Sequence, residues 1–223
     1  MKEKKDYTVE ELLVQLEIMK KKLLVALFIV VMACILAFSV SAANEVTLTD
    51  GTQADFTTVF KVNSRNEVTG FNSGYDKNSV TDVIFPDEIE GIESNFLFGD
   101  AANLNTITFA ATDTFFISGD GIFSKCSVKT ITFNPDCVVE LRKGNFAECK
   151  SLTQITFPKF KKLAGSAFAS CPNMVATNDL ILAEGMTEIG GHAFRDCTSL
   201  KGTVYFPSTL EKIQEYSDRK SVV

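Results

Sequence analysis

Four cysteines recur at intervals that invite a chemical reading. Cys126, Cys149, Cys171 and Cys197 are spaced 23, 22 and 26 residues apart, and each stands three residues after a phenylalanine: Phe123, Phe146, Phe168 or Phe194. Metal sites are built from Cys or His pairs two to four residues apart. The chain offers no such pair, so neither a metal nor another cofactor is expected. One thiol per repeat in an equivalent place predicts a stacked structural ladder instead, with cysteine acting as a small apolar residue and weak donor. An exported chain permits disulfides, and neighbouring repeats of a stack approach within bonding range. The spacing nevertheless selects no pair, and Cys137 stands outside the column.

Other reactive residue types are sparse. The only histidine, His192, sits in Gly-Gly-His-Ala-Phe without a Cys, Ser or carboxylate partner motif, and reads as a solvated turn residue. The chain has no nucleophile elbow, no HExxH pair and no phosphate-binding glycine loop. No catalytic residue is assigned, and the expectation is a protein that is not an enzyme. Net charge is −6; residues 44–223 carry 16 Lys+Arg against 23 Asp+Glu, or −7. A phosphate-backbone partner wants a basic stripe, so no nucleic acid is expected. Tryptophan, a common sugar-stacking platform, is absent, although Tyr75, Tyr205 and Tyr216 remain.

The cysteines are positioned by a repeat. Phe85, Phe109, Phe133 and Phe157 are each 24 residues apart, and Leu182 and Phe206 follow at 25 and 24. Two positions before each stands Val83, Ile107, Ile131, Ile155, Leu180 or Val204; three before that, in the first four repeats, stands Val80, Leu104, Val128 or Leu152. A fixed period in the twenties is the signature of a solenoid. Within Ile155-Thr156-Phe157 the apolar residues share one face and the threonine takes the other, the period-2 pattern of a half-buried strand. Pro86, Pro158 and Pro207 then suit a strand end, since proline cannot donate to a ladder. A second apolar mark, small turn residues and the Phe-x-x-Cys segment complete the coil. Such a coil cannot stand alone. It buries about six apolar side chains at about 1.5–3 kcal/mol each, against about 1–2 kcal/mol of backbone entropy per residue. Stacked neighbours supply the missing contacts.

The outward strand positions are Thr106, Thr108, Thr130, Thr132, Gln154, Thr156, Thr203 and Tyr205. Stacked in register they predict a polar stripe, the candidate ligand-facing surface; their β propensity alone would also place them there. Lys159, Lys161 and Lys162 read as a solvated loop.

L-x-x-I-x-F is the strand half of a leucine-rich repeat. The whole unit (Ile-Thr-Phe-Pro, an apolar mark, Gly-x-Ala-Phe-x-x-Cys, Ser-Leu) resembles the bacterial BspA-like leucine-rich repeat family, best in residues 152–171 and 190–207 and over about 68–213. Ile122-Phe123 and Asn145-Phe146 depart from the Ala-Phe pair and 95–99 lacks the cysteine, so those coils are expected to be looser. The expected fold is a mainly β leucine-rich-repeat solenoid. A parallel sheet lies on one face, short strands and single helical turns on the other, and a β cap at the N-terminal end.

The expected organisation is a signal region over 1–43, a β-strand cap over 44–78, repeats of about 24 residues over 79–213, and a truncated or non-native tail over 214–223. Lys20, Lys21 and Lys22 precede the uncharged stretch 23–43, which closes on Ser41-Ala42-Ala43, the pattern of a secretory signal peptide. An uncleaved anchor is the competing reading, since the stretch is long enough to span a bilayer. Val31-Met32-Ala33-Cys34 has the form of a lipoprotein box, but 35–40 after it is apolar where a lipoprotein turns polar; Met19 offers an alternative start.

The resemblance implies a secreted or cell-surface bacterial protein that binds a protein ligand, such as a host-matrix or cell-surface protein, in adhesion. Membrane contact is expected only through the signal or anchor segment. Two other classes stay open: an accessory repeat module of a longer exported enzyme, and a carbohydrate-binding cell-wall component.

Overall fold

The computed structural model describes residues 45–217. The expected signal or anchor region 1–43 and residues 218–223 of the expected tail lie outside the described residues. Among the described residues, no helix is long and apolar enough to cross a membrane.

The chain opens with β1 (Glu45–Leu48), β2 (Gln53–Asp55), the single turn α1 (Phe56–Val59), β3 (Phe60–Val62) and β4 (Glu67–Phe71). Each following coil contributes strand pairs: β5 (Val80–Phe85) and β6 (Gly91–Ile92), β7 (Thr106–Phe109) and β8 (Thr114–Ile117), β9 (Thr130–Phe133) and β10 (Val138–Leu141), β11 (Gln154–Thr156) and β12 (Lys159–Leu163). Shorter pieces follow: β13 (Val175–Ala176), β14 (Leu180–Leu182), β15 (Glu188–Ile189), β16 (Val204–Tyr205) and β17 (Lys212–Ile213).

These strands build two sheets. The first runs β13-β11-β9-β7-β5-β1-β2, and the second β16-β14-β12-β10-β8-β6-β4-β3, with β15 joining β12 and β17. Coil-to-coil pairings are parallel, as a solenoid requires. Antiparallel pairs occur where β1 meets β2 and β5, and where β3 meets β4. The mainly β solenoid is therefore present, and the strands opposite the first sheet are themselves a continuous ladder. Among the described residues α1 is the only α-helical turn.

The core lies between the sheets. Val83, Ile107, Ile131 and Ile155 form one buried column, and Val80, Leu104, Val128, Leu152, Met174 and Leu200 another. Phenylalanine does most of the stacking. Phe85, Phe109 and Phe133 lie nearly parallel with centroids 5.0 and 4.4 Å apart. Phe98, Phe123, Phe146, Phe168 and Phe194 form a second file at 5.3, 5.0, 5.3 and 5.5 Å. The two files meet edge-on, as at Phe109–Phe123 (87°) and Phe133–Phe146 (86°). Parallel rings within a file and edge contacts between files suit the ring quadrupole.

Three expectations are corrected. The coils that depart from Ala-Phe are not looser: Ile122, Phe123, Asn145 and Phe146 are all fully buried. Asn145 compensates for its polarity, donating from Nδ2 to the Gly119 carbonyl at 2.8 Å and accepting from the Arg142 backbone N–H at 2.7 Å. In the coil without a cysteine, Ala101 fills that place, also fully buried. Lys159, Lys161 and Lys162 are not a loop but part of β12, because Phe160 and Leu163 point into the core and a register shift opposite Val139/Glu140 accommodates the extra residue.

The third correction concerns the fifth coil. Leu180 and Leu182 keep the beat of the Ile-x-Phe pairs, yet β14 lies in the second sheet, with Ile181 opposite Lys159 and Leu182 opposite Phe160. Nine positions separate Cys171 from Leu180, against six between Cys149 and Ile155. The two are different strands: Leu182 stands as far after Cys171 as its partner Phe160 stands after Cys149, and Val175 and Ala176 take the first-sheet place beside β11. Asn178 then closes the junction: its Oδ1 accepts the Phe157 N–H at 2.7 Å and its Nδ2 donates to the Phe157 carbonyl at 2.9 Å. A side-chain amide thus replaces a missing ladder step.

Candidate binding face and thiol column

The first sheet carries two outward files. Asp82, Thr106, Thr130, Gln154 and Val175 are register partners in one. Ile84, Thr108, Thr132 and Thr156 are partners in the other, and Thr177 extends it through a 2.7 Å hydroxyl–hydroxyl bond with Thr156. In-register parallel pairing sets the rank spacing at about 4.7–4.9 Å. Thr106, Thr108, Thr130, Thr132 and Thr156 are half-buried between neighbours, and Gln154 is exposed. At the N-terminal end of the face, Thr106 Oγ1 donates to Asp82 Oδ1 at 2.6 Å.

Six of the eight expected stripe residues are thus brought together. Thr203 and Tyr205 are not. Tyr205 lies in β16 opposite Ile181, on the outer side of the second sheet, and the Thr203 carbonyl accepts from the Leu180 N–H at 3.0 Å. Their displacement follows from the fifth-coil shift. Asp82, Ile84, Val175 and Thr177 belong to the face and were missed. The alternation in Thr-Asp-Val-Ile-Phe marks the first two, whereas the last two are visible only once the residues just after Cys171 are assigned to the first sheet.

The outer side of the second sheet differs. Lys159 pairs with Asp136 at 3.2 Å and Lys161 with Glu140 at 3.6 Å. These exposed coil-to-coil pairs contribute little stability. Phe116 and Tyr205 are partly exposed there. At the last described coil, an apolar hollow of about 140 Å³ is lined by residues including Phe157, Leu180, Phe194, Val204 and Phe206.

The cysteines form the expected column. Cys126, Cys149, Cys171 and Cys197 are free and buried. Each follows a residue with positive φ: Lys125, Glu148, Ser170 or Asp196 at 58–61°. This left-handed step aims the side chain inward. Cys149, Cys171 and Cys197 donate to the carbonyls of Phe123, Phe146 and Phe168 in the preceding coil at 3.1, 3.1 and 3.0 Å. The sulfurs of Cys126 and Cys149 are 3.7 Å apart. Cys149 is held well above the ordinary thiol value by its contacts with Cys126 and Cys171 and by burial, and Cys197 is raised by Cys171 and by burial. Cys171 is drawn the other way, lowered by its contacts with Cys149 and Cys197, while burial opposes this. Cys137, buried apart from the column, is pushed up to about 11, chiefly by burial.

His192 is not simply solvated. It is half-buried at φ 62°, its ring stacks on Tyr216 with centroids 5.2 Å apart, and its Nδ1 has no hydrogen-bond partner among the described residues. Among the described residues, no group of three or more His, Cys, Asp or Glu side chains is arranged to hold a metal ion.

A family model for the BspA type leucine rich repeat region matches residues 70–178 and 173–217 in six copies. The chain belongs to the BspA-type leucine-rich repeat family. The matched residues are those of the coil stack, and a BspA-type solenoid is typically a non-catalytic binding scaffold. No curated protein matches the chain.

Proposed function

We propose that this BspA-type protein is exported and acts as a protein-interaction module at the cell surface or in the medium, in adhesion to host or neighbouring cells. The outward face of the first sheet receives the partner. The observation that carries this reading is the in-register face running from Asp82 to Thr177. Its side chains sit on paired strands, so little conformational entropy is lost when a partner docks. Threonine supplies a hydroxyl that donates and accepts beside a methyl group, a mixture close to that of a non-obligate protein interface. Repeats of this family are often found in surface proteins that interact with other proteins, which supports the same reading.

The test uses the 223-residue protein against immobilised extracellular-matrix proteins, intact bacterial and host cells, and a glycan array. Saturable binding to a protein or cell surface is expected. It should weaken at least about tenfold, ~1.4 kcal/mol, in the Thr130→Lys/Thr132→Lys double variant and persist in Lys162→Glu on the second sheet. Binding to glycans alone, or undiminished binding by the double variant, contradicts the proposal.

A further inference from the structure

We propose that the thiol column is a site of oxidative pairing: folding in the presence of a disulfide oxidant joins Cys126 to Cys149 and Cys171 to Cys197. The four residues occupy the same place in successive coils. Backbone bonds tie their turns together immediately before each sulfur: Lys125 N–H to Ala147 O at 2.8 Å, Glu148 N–H to Ala169 O at 2.7 Å, and Ser170 N–H to Arg195 O at 2.7 Å. Paired chains at this spacing lie about 4.7–4.9 Å apart, inside the Cα separation of about 4.4–6.8 Å that a disulfide spans. The Cys126 and Cys149 sulfurs already touch, at 3.7 Å.

The pairing has a direction. In the coil preceding Cys126 the equivalent residue is Ala101, which offers no sulfur. Cys126 can therefore pair only toward Cys149, and that bond leaves Cys171 and Cys197 for each other. A Cys149–Cys171 bond would strand both end thiols. Cys137, outside the column, stays reduced.

The chemistry balances with any small-molecule or protein disulfide. One cysteine thiolate attacks that disulfide, forming a mixed disulfide and releasing one external thiol. The neighbouring thiolate then attacks the protein sulfur of the mixed disulfide, closing the inter-coil bond and releasing the second thiol. The two cysteine protons end on the two released thiols. Each sulfur in the finished stack is almost fully buried, so an external disulfide cannot reach it. The exchange belongs to folding, before the coils close. An oxidising compartment, which the export reading supplies, is where it would operate, but the pairing itself is tested in solution and does not depend on export.

The full chain is unfolded and reduced, refolded in a glutathione redox buffer, and mapped by peptide mass spectrometry without reduction. The titratable thiol count should fall by four, with cross-linked peptides joining Cys126 to Cys149 and Cys171 to Cys197. The chemical-denaturation midpoint should rise relative to the reduced protein. Protein folded reduced and then given the same buffer should keep its thiols. Cys126→Ala should lose the first bridge, and Cys137→Ala should keep both. An unchanged thiol count after oxidative refolding, a dominant Cys149–Cys171 bond, or bridging of Cys137 would overturn the proposal. Failure of the surface-binding test leaves these outcomes unaffected.

Discussion

Asn145 is buried inside the coil stack, and both its side-chain partners are backbone groups. It satisfies the Gly119 carbonyl and the Arg142 N–H together. Asn145→Ala leaves both unpaired in the core, and a loss of about 1–3 kcal/mol is expected, read as a lowered denaturant midpoint. Cys137 makes a second residue-scale prediction. Its folded pKa of about 11 lies above the ordinary 9.0 because burial disfavours the thiolate. The folded state therefore holds the proton more tightly, so this contribution is complete below pH 9 and is lost as pH rises from about 9 to 11. Stability should fall through that window, and Cys137→Ala should shallow the slope; an unchanged slope would show that Cys137 does not contribute. At this scale the sequence was informative about the thiol column, because period and residue type agree there. It was misleading about Asn145. A polar residue beside Phe146 suggested a loose coil, and only the position of the Gly119 carbonyl in the neighbouring coil shows why it is a tight one.

Element-scale behaviour is governed by stacking. Phe133 is fully buried between Phe109 and the edge of Phe146, whereas Phe206 in the last described coil is 56% exposed. Phe133→Ala should cost about 3–5 kcal/mol, and Phe206→Ala about 0.5 kcal/mol or less, although both fall on the same beat in the sequence. Equal losses in thermal or denaturant unfolding would contradict this stack. The alternation of Thr-Ile-Thr-Phe made β7 and β9 readable in full, since one residue of the other parity would turn the whole strand over. The second sheet was harder to see. Its strands carry weaker signals, such as Lys-Phe-Lys-Lys-Leu with its register shift, and continuity across coils depends on pairing that no single segment announces. The fifth coil misled for a different reason. Leu180 and Leu182 keep the 24–25-residue beat, but Val175 and Ala176 have already supplied the first-sheet strand. Beat alone cannot tell which of two successive strands joins which sheet.

Across the described residues, two sheets, two files of phenylalanine and one column of thiols repeat with the same period. Stability in such a stack is close to a sum of neighbour terms, and β5, β7, β9 and β11 under the outward face are each paired on both sides. That rigidity is what makes the Asp82-to-Thr177 face a better candidate for a partner than the second sheet, whose outer side is broken by a register shift and by mixed charges. Six of the eight residues expected from alternation lie on the face; the other two, Thr203 and Tyr205, lie beyond the coil where the register changes. The most direct test of the face is amide hydrogen exchange on the protein, free and bound to the matrix protein or cell-surface preparation that gives the strongest saturable binding. Protection on binding should concentrate in 106–108, 130–132 and 154–156. Protection confined to 114–117, 138–141 and 159–163 would place the partner on the second sheet and contradict the account.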